Sequence, residues 1–371
     1  MVDLVSQYEK IKPEIETAIN GVMNSAAYIN GPEVKAFQSE LETYLDVKHV
    51  IPCANGTDAL QIALMALGLK PGDEVITSDF TFAATVEVVK LLNLTAVLVD
   101  VERDTFNISI DSLKAAITPK TKAIIPVHLF GQCSNMDAVM EVAEAHNIFV
   151  IEDTAQGIGA KHTSKDGTTK SAGCIGHIGT TSFFPSKNLG CFGDGGAIFT
   201  NDDELAIILR SIVNHGMGER YYYDRVGVNS RLDSIQAAVL RIKLKHLDTY
   251  IENRQRAAKY YSDFFSQIEG VEVPKISDFS THVFHQYTLK IDGINQFEAQ
   301  KFMNKKGIPA MIYYPMPLHT QKAYDADKYN HSDFKVTNGL CKCVLSLPMH
   351  TELDTEQLAY ITESLKEYLT K

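Results

Sequence analysis

A chain of 371 residues with 45% apolar content is long enough to bury a large core, and its length suits two domains or one large domain with a smaller cap. A formal net charge of −11 argues against nucleic acid as a partner, since phosphate-backbone binding needs clustered Lys and Arg and no basic stretch stands out. The start, Met1-Val2-Asp3-Leu4-Val5, has no basic and apolar leader, and no uncharged apolar run is long enough to span a bilayer, so the sequence predicts a cytoplasmic protein.

Residues 8–23 place Ile11, Ile15, Ala18, Ile19 and Val22 at helical spacing. Asn30-Gly31-Pro32 then breaks the chain before a second helix over 33–44, with proline at a helix start. From there the pattern alternates. Strands are expected at 49–53, 74–78, 95–100, 122–127, 149–152, 180–183 and 197–200, and helices at 56–67, 81–92 and 136–145. The alternation predicts an α/β fold with a mainly parallel sheet covered on both faces, and ligands in such sheets sit at the carboxyl ends of the strands. Asn55-Gly56-Thr57, residues 79–82, His128-Leu129-Phe130-Gly131 and residues 153–156 each follow a strand, so they converge on one rim. Helical spacing from Ile235 to Leu247 follows Asn229, and we place the domain change near Leu247. This gives a large domain over 1–247 and a smaller α+β domain over 248–371, with a strand at 286–291 and helices at 297–305 and 355–369.

Six scattered cysteines form no disulfide framework, Cys341-x-Cys343 being the only close pair, so reduced thiols are expected. Twelve histidines include no H-E-x-x-H, and no metal site is expected.

Residues 151–196 carry the chemistry. Asp153 ends an apolar strand, Lys187 sits in the loop Ser182-Phe183-Phe184-Pro185-Ser186-Lys187-Asn188-Leu189-Gly190, and Gly193-Asp194-Gly195-Gly196 follows. Pyridoxal phosphate needs a lysine for a Schiff base, a carboxylate facing its pyridinium nitrogen, and neutral donors around its phosphate. All three residue types are here in order. A buried carboxylate needs a compensating partner, which a protonated pyridine nitrogen supplies, and strand alternation turns Glu152 to the opposite face from Asp153. Apolar neighbours of Lys187 lower its pKa, and a neutral amine is what attacks an aldehyde. Asn55-Gly56-Thr57-Asp58 opens a helix whose free N–H groups favour a phosphate; on its own this stretch reads equally as a plain helix cap. Asn229 reads equally as a helix N-cap, and Arg231 as a surface charge.

Together with Gly31-Pro32-Glu33-Val34, Glu152-Asp153-Thr154-Ala155-Gln156 and Asn229-Ser230-Arg231-Leu232-Asp233, these motifs resemble the DegT/DnrJ/EryC1/StrS sugar aminotransferases over nearly the whole chain. The resemblance implies the aspartate aminotransferase-like fold and a homodimer with shared active sites. It implies pyridoxal phosphate as the cofactor, with Lys187 and Asp153 catalytic. Gly56, Thr57, Asp58 and Ser182 are implied at the phosphate, Phe82 stacked on the ring, Gln156 at the phenolic oxygen, and Asn229 at the partner subunit's cofactor phosphate. Arg231, Tyr313 and His319 are implied substrate contacts, the last two in loops that close over the sugar. Members acting on sugar acids often carry histidine at the position of Tyr313, which argues against a uronic acid here.

The activity so implied is transfer of an amino group, with glutamate as donor, to a nucleoside-diphosphate-linked keto sugar, first at C3, with C4 open, and with a 2-acetamido sugar or a sugar acid as the candidate substrates. A sugar dehydratase of the same fold would replace the lysine, and Lys187 counts against it. A cofactor-sensing regulator would need an added DNA-binding module, for which the chain shows no segment. No G-x-G-x-x-G follows the first strand, which excludes a nicotinamide dehydrogenase.

Overall fold

The computed structural model describes residues 1–324 and 328–370. Its first two helices, α1 (Leu4–Ser25) and α2 (Pro32–Leu45), bury the faces their spacing sets out: Ile11, Ile15 and Val22 on the first, Val34, Phe37, Leu41 and Leu45 on the second. Pro32 occupies the first position of α2. Gly31 before it has no room for a side chain, since a Cβ there would lie 2.4 Å from the Ala27 carbonyl oxygen.

The alternating stretch folds as β1 (His49–Cys53), α3 (Gly56–Ala66), β2 (Glu74–Ser78), α4 (Ala84–Leu91), β3 (Thr95–Val99), α5 (Ile110–Ala116), β4 (Thr121–Ile125), α6 (Met136–His146) and β5 (Phe149–Asp153). A small hairpin, β6 (Lys161–Thr163) and β7 (Thr169–Ser171), precedes β8 (Ile178–Ser182), β9 (Gly196–Thr200) and α7 (Asp203–Ile212). Seven strands make one sheet in the order β1-β9-β8-β5-β4-β2-β3. Neighbours from β8 to β3 are parallel, and β9 alone runs against both of its neighbours. The reason is the connection: β8 reaches β9 through the lysine loop, which doubles back with no crossover helix, and only antiparallel strands can be joined that way.

The helix expected from Thr81 begins instead at Ala84. Asp79 accounts for the difference. Its carbonyl accepts from the Leu318 N–H and its carboxylate from the His319 N–H, so the chain after β2 is tied to a distant segment before the helix can start.

Beyond α7 come a hairpin, β10 (Met217–Glu219) and β11 (Tyr222–Tyr223), then α8 (Ser234–Leu244) and α9 (Leu247–Phe265). The remainder is β12 (Val271–Glu272), β13 (Tyr287–Ile291), α10 (Gln296–Lys305), α11 (Lys335–Cys343), β14 (Val344–Leu347) and α12 (Thr355–Leu369), with β12-β13-β14 as an antiparallel sheet. α9 starts at Leu247, yet the core does not divide there. Tyr261, Phe265, Tyr287 and Leu289 share one buried cluster with Phe80, Val101, Phe106, Val127 and Phe130 from the main sheet's strand ends. The smaller part is thereby seated on the rim that carries the candidate site. All six cysteines are buried and free.

Candidate active site

Strand β5 ends in two acids that part company. Glu152 is fully buried and accepts from His128 Nε2 at 2.8 Å and from the N–H groups of Gly173, Ile175 and Gly176 at 2.9, 2.7 and 2.6 Å. The Ser134 N–H donates to His128 Nδ1, so the ring proton is on Nε2 and points at the carboxylate. Burial pushes the Glu152 pKa up, but the His128 bond and the backbone donors outweigh it and hold it below its ordinary value. Every acceptor direction of Glu152 is spent on structure.

Asp153 faces the other way and keeps capacity in reserve. Its side chain, 5% exposed, accepts from Thr85 Oγ1 at 2.8 Å and from the Ala155 N–H at 3.1 Å. Two carboxylate oxygens offer about four acceptor sites, so room is left for one more strong donor. Lys187 stands within electrostatic reach of it. Burial lowers the Lys187 amine to about 8, against the opposing pull of Asp153. The buried apolar neighbours of Lys187 in its loop are Phe183 and Leu189, both 0% exposed; Phe184, the other aromatic neighbour, is 52% exposed and turns outward.

The phosphate end is built where α3 meets β8 and β9. Asn55 caps α3 by accepting from the Asp58 N–H at 2.8 Å, which uses that amide and leaves the first-turn amides of Gly56 and Thr57 for a ligand. A Cβ on Gly56 would lie 2.6 Å from the Ser182 Cβ, and one on Gly196 would lie 2.5 Å from the Asn55 carbonyl. Only glycine at both places lets the helix end approach the strands. Ser182 Oγ accepts from the Phe184 N–H at 3.3 Å, so its own O–H is left to donate. Gly56, Thr57, Asp58 and Ser182 are all partly exposed on this edge.

Gln156 is oriented by two bonds. Its Oε1 accepts from the Phe130 N–H at 2.8 Å, which fixes the amide, and its Nε2 donates to the Tyr314 hydroxyl at 3.2 Å with a second N–H to spare. Phe82 is 59% exposed on the rim, whereas Phe80 is 1% exposed and packs edge-on against Tyr314. Thr85, Tyr314 and Asn188, whose Nδ2 donates to the Val283 carbonyl at 3.0 Å, are site residues that the sequence reading passed over. Asn188 stands beside Lys187 in the loop motif, and Thr85 follows Phe82 by about one helical turn.

The remaining candidates lie further out. Asn229 is exposed and pairs with Asn214 in an isolated bridge; the N-cap of α8 is Asp233, so the capping alternative for Asn229 falls away. Ser230 beside it is fully buried and accepts from the Ala54 N–H at 3.0 Å, tying this stretch to the edge of the phosphate cradle. Arg231 and Tyr313 are partly exposed. His319 is 2% exposed: Nδ1 meets Asp79 at 2.7 Å, Nε2 meets His331 at 2.9 Å, and the ring stacks on Phe334. Both ring nitrogens are therefore engaged within the fold, which leaves none to bond a sugar.

The donor set fits pyridoxal phosphate: an amine brought near neutrality, a carboxylate with an unused acceptor site, and free helix-end amides beside a serine hydroxyl. A sequence profile of the DegT/DnrJ/EryC1/StrS aminotransferase family matches residues 9–366. A protein of Geobacillus stearothermophilus named pleiotropic regulatory protein is 45% identical over 99% of this chain and 98% of its own. A Pseudomonas aeruginosa protein named UDP-2-acetamido-2-deoxy-3-oxo-D-glucuronate aminotransferase is 45% identical over 98% of each. Among solved structures, S. venezuelae DesV in complex with a ketimine intermediate superposes with a TM-score of 0.95 at 35% identity, covering 100% of this chain and 98% of that one. With the site geometry and a family profile in agreement along nearly the full length, this chain belongs to the DegT/DnrJ/EryC1/StrS aminotransferase family.

Proposed function

We propose that this protein moves an amino group from glutamate to the C3 keto group of a nucleoside-diphosphate-linked sugar, with pyridoxal phosphate held between Lys187 and Asp153. The observation that carries the reading is the pairing of a lysine brought to about 8 with a carboxylate that still has an acceptor site free. Bound there, the cofactor supplies an electron-accepting ring that stabilises negative charge on the carbon losing its proton. The chain's own residues do the rest. Asp153 keeps the ring nitrogen protonated, and Gln156 directs its spare N–H at the phenolic oxygen. Gly56, Thr57 and Ser182 hold the phosphate in place. Lys187 would hold the cofactor covalently, and its free amine would accept and return the substrate proton, for which a pKa near the working pH is suited.

The preference for C3 draws on the P. aeruginosa relative, whose name specifies a 3-oxo sugar. The same name specifies a 2-acetamido sugar acid, so 2-acetamido sugars with and without the acid are the first substrates to try. Arg231 and Tyr313 are the proposed substrate contacts, and His319 acts at one remove by fixing Asp79. We also place the working unit as a cytoplasmic homodimer in which exposed Asn229 reaches the other subunit's cofactor phosphate. Mixed dimers of Lys187→Ala and Asn229→Ala subunits should then regain activity that neither has alone. No recovery despite proven subunit exchange would put Asn229 in its own chain's site, beside Ala54.

The main test is a panel of 3-keto and 4-keto sugar nucleotides with glutamate, read by NMR of the amino-sugar product. Lys187→Ala should abolish turnover and the borohydride-reducible cofactor adduct. Retention of that adduct by the variant would sink the assignment.

A further inference from the structure

Helix α8 leaves the Asn229–Arg231 stretch and runs beneath the return leg of the Lys187 loop. Two of its side chains, Gln236 and Lys243, lie about two turns apart and so share a face. Gln236 holds Phe192 by both backbone groups: the Phe192 N–H donates to Oε1 at 2.8 Å, and Nε2 donates to the Phe192 carbonyl at 3.3 Å. Lys243 Nζ donates to the Gly190 carbonyl at 2.7 Å and lies 5.1 Å from the centre of the Phe192 ring.

Lys243 is unusual in its surroundings. It is 3% exposed, and no ion-pair partner for it is found among the described residues; the titratable groups that face it are Cys191 of the loop and Arg254 of α9. Burial lowers its amine to about 8. A buried ammonium with one carbonyl partner is costly, so the bond to Gly190 is the contact that gives this residue a purpose.

The loop it holds has no slack. The Lys187 N–H donates to the Phe184 carbonyl and the Cys191 N–H to the Phe183 carbonyl, both at 2.8 Å. A Cβ on Gly190 would lie 2.5 Å from the Pro185 carbonyl oxygen and 2.8 Å from that of Phe184. A shift of Gly190 therefore passes directly into the turn that carries Lys187, since close-packed groups transmit displacement.

We propose that Gln236 and Lys243 are positioning residues that fix where the Lys187 amine stands, so that α8 links the Asn229–Arg231 stretch to the reacting lysine. The proposal rests on the reading of Lys187 as the cofactor's covalent partner. Its test compares two probes on cofactor-free protein. Pyridoxal phosphate forms a bond to Lys187; pyridoxamine phosphate fills the same seat and forms none. In Lys243→Met, formation of the borohydride-trapped adduct should slow at least tenfold, while the dissociation constant for pyridoxamine phosphate stays within threefold. Gln236→Leu should show the same split, and it carries the test by itself if Lys243→Met does not fold. Equal losses with both probes would mean a general structural role and overturn the proposal, as would folded variants with neither constant changed. A wild-type chain that traps no adduct would instead overturn the reading of Lys187 itself.

Discussion

Lys187→Met removes a cation from the site and keeps most of the side chain's length, so it isolates what the reactive lysine costs the fold. Burial takes the amine from its ordinary value of 10.5 to about 8, with Asp153 opposing. At 1.36 kcal/mol for each step of one in pKa, that depression makes the charged form ~3 kcal/mol less favourable in the folded chain than in the unfolded one. The side chain is partly exposed, and water screening reduces the realised figure to ~1–3 kcal/mol. Below pH 8 both folded and unfolded chains hold the proton and the penalty is complete. Between pH 8 and 10.5 the folded chain has released a proton that the unfolded chain still binds, so wild-type stability at this site rises with pH. Above 10.5 the penalty is gone. Cofactor-free Lys187→Met should thus be more stable than wild type by ~1–3 kcal/mol at pH 7, with the gap closing by pH 10 to 10.5. Urea unfolding of both proteins at the two pH values measures it directly. The same free-energy difference between the proteins at pH 7 and at pH 10.5 would refute the claim that Lys187 is held against its charge.

Glu152→Gln should cost ~3–5 kcal/mol in the same assay, because four donors converge on a fully buried carboxylate whose replacement offers them one acceptor and two misplaced N–H groups. Glu152 is held below its ordinary 4.5, so its contribution is complete above that pH and is lost as pH falls through the depressed value; the gap to Glu152→Gln should narrow in acid. Arg254→Lys should lose ~2 kcal/mol by thermal or urea unfolding, since Arg254 is 3% exposed and one of its guanidinium nitrogens, Nη1, bonds the carbonyls of Phe284, His285 and Met349 at a depth the shorter lysine side chain does not reach. Thr85→Val keeps the shape and deletes one donor to Asp153, a change worth ~1.5–3 kcal/mol of stability; urea midpoints equal to wild type would show that the 2.8 Å contact contributes nothing.

The sheet was legible because most of its strands are short apolar runs followed by a turn and a helix, and such runs have few alternatives. The lysine loop and the glycine at 56 were legible for another reason: with the other motifs, in a fixed order, they resemble a known family, whereas the stretch at 56 alone reads equally as a helix cap. What escaped were contacts made by common residues at long range. Thr85 looks like any helix-face threonine until Asp153, far along the chain, is found 2.8 Å away. Lys243 looks like a solvated charge near a helix end, and its 3% exposure exists only because the lysine loop folds over it. The late start of α4 has the same origin, since the local pattern favours a helix from Thr81 and the contacts to Leu318 and His319 override it.

Three acids at the carboxyl ends of parallel strands in one sheet show where such reasoning stops. Asp79 follows β2, Asp100 follows β3 and Asp153 ends β5, and all three are 8% exposed or less. By position in an α/β sheet each is an equal candidate for a ligand. Their partners separate them. Asp79 takes the backbone and ring of His319, and burial, which outweighs that bond, brings it up to about 6. Asp100 takes the N–H groups of Val336 and Thr337 and the Thr337 hydroxyl, which fastens the start of α11 to the sheet. Both are consumed in seating the C-terminal part of the chain on the rim. Among the described residues Asp153 receives donors only from Thr85 and Ala155, and a protonated ring nitrogen is the partner that would complete it. A carboxylate left incomplete next to an amine brought near neutrality is what distinguishes a cofactor seat from two structural clamps built at the same level of the same sheet.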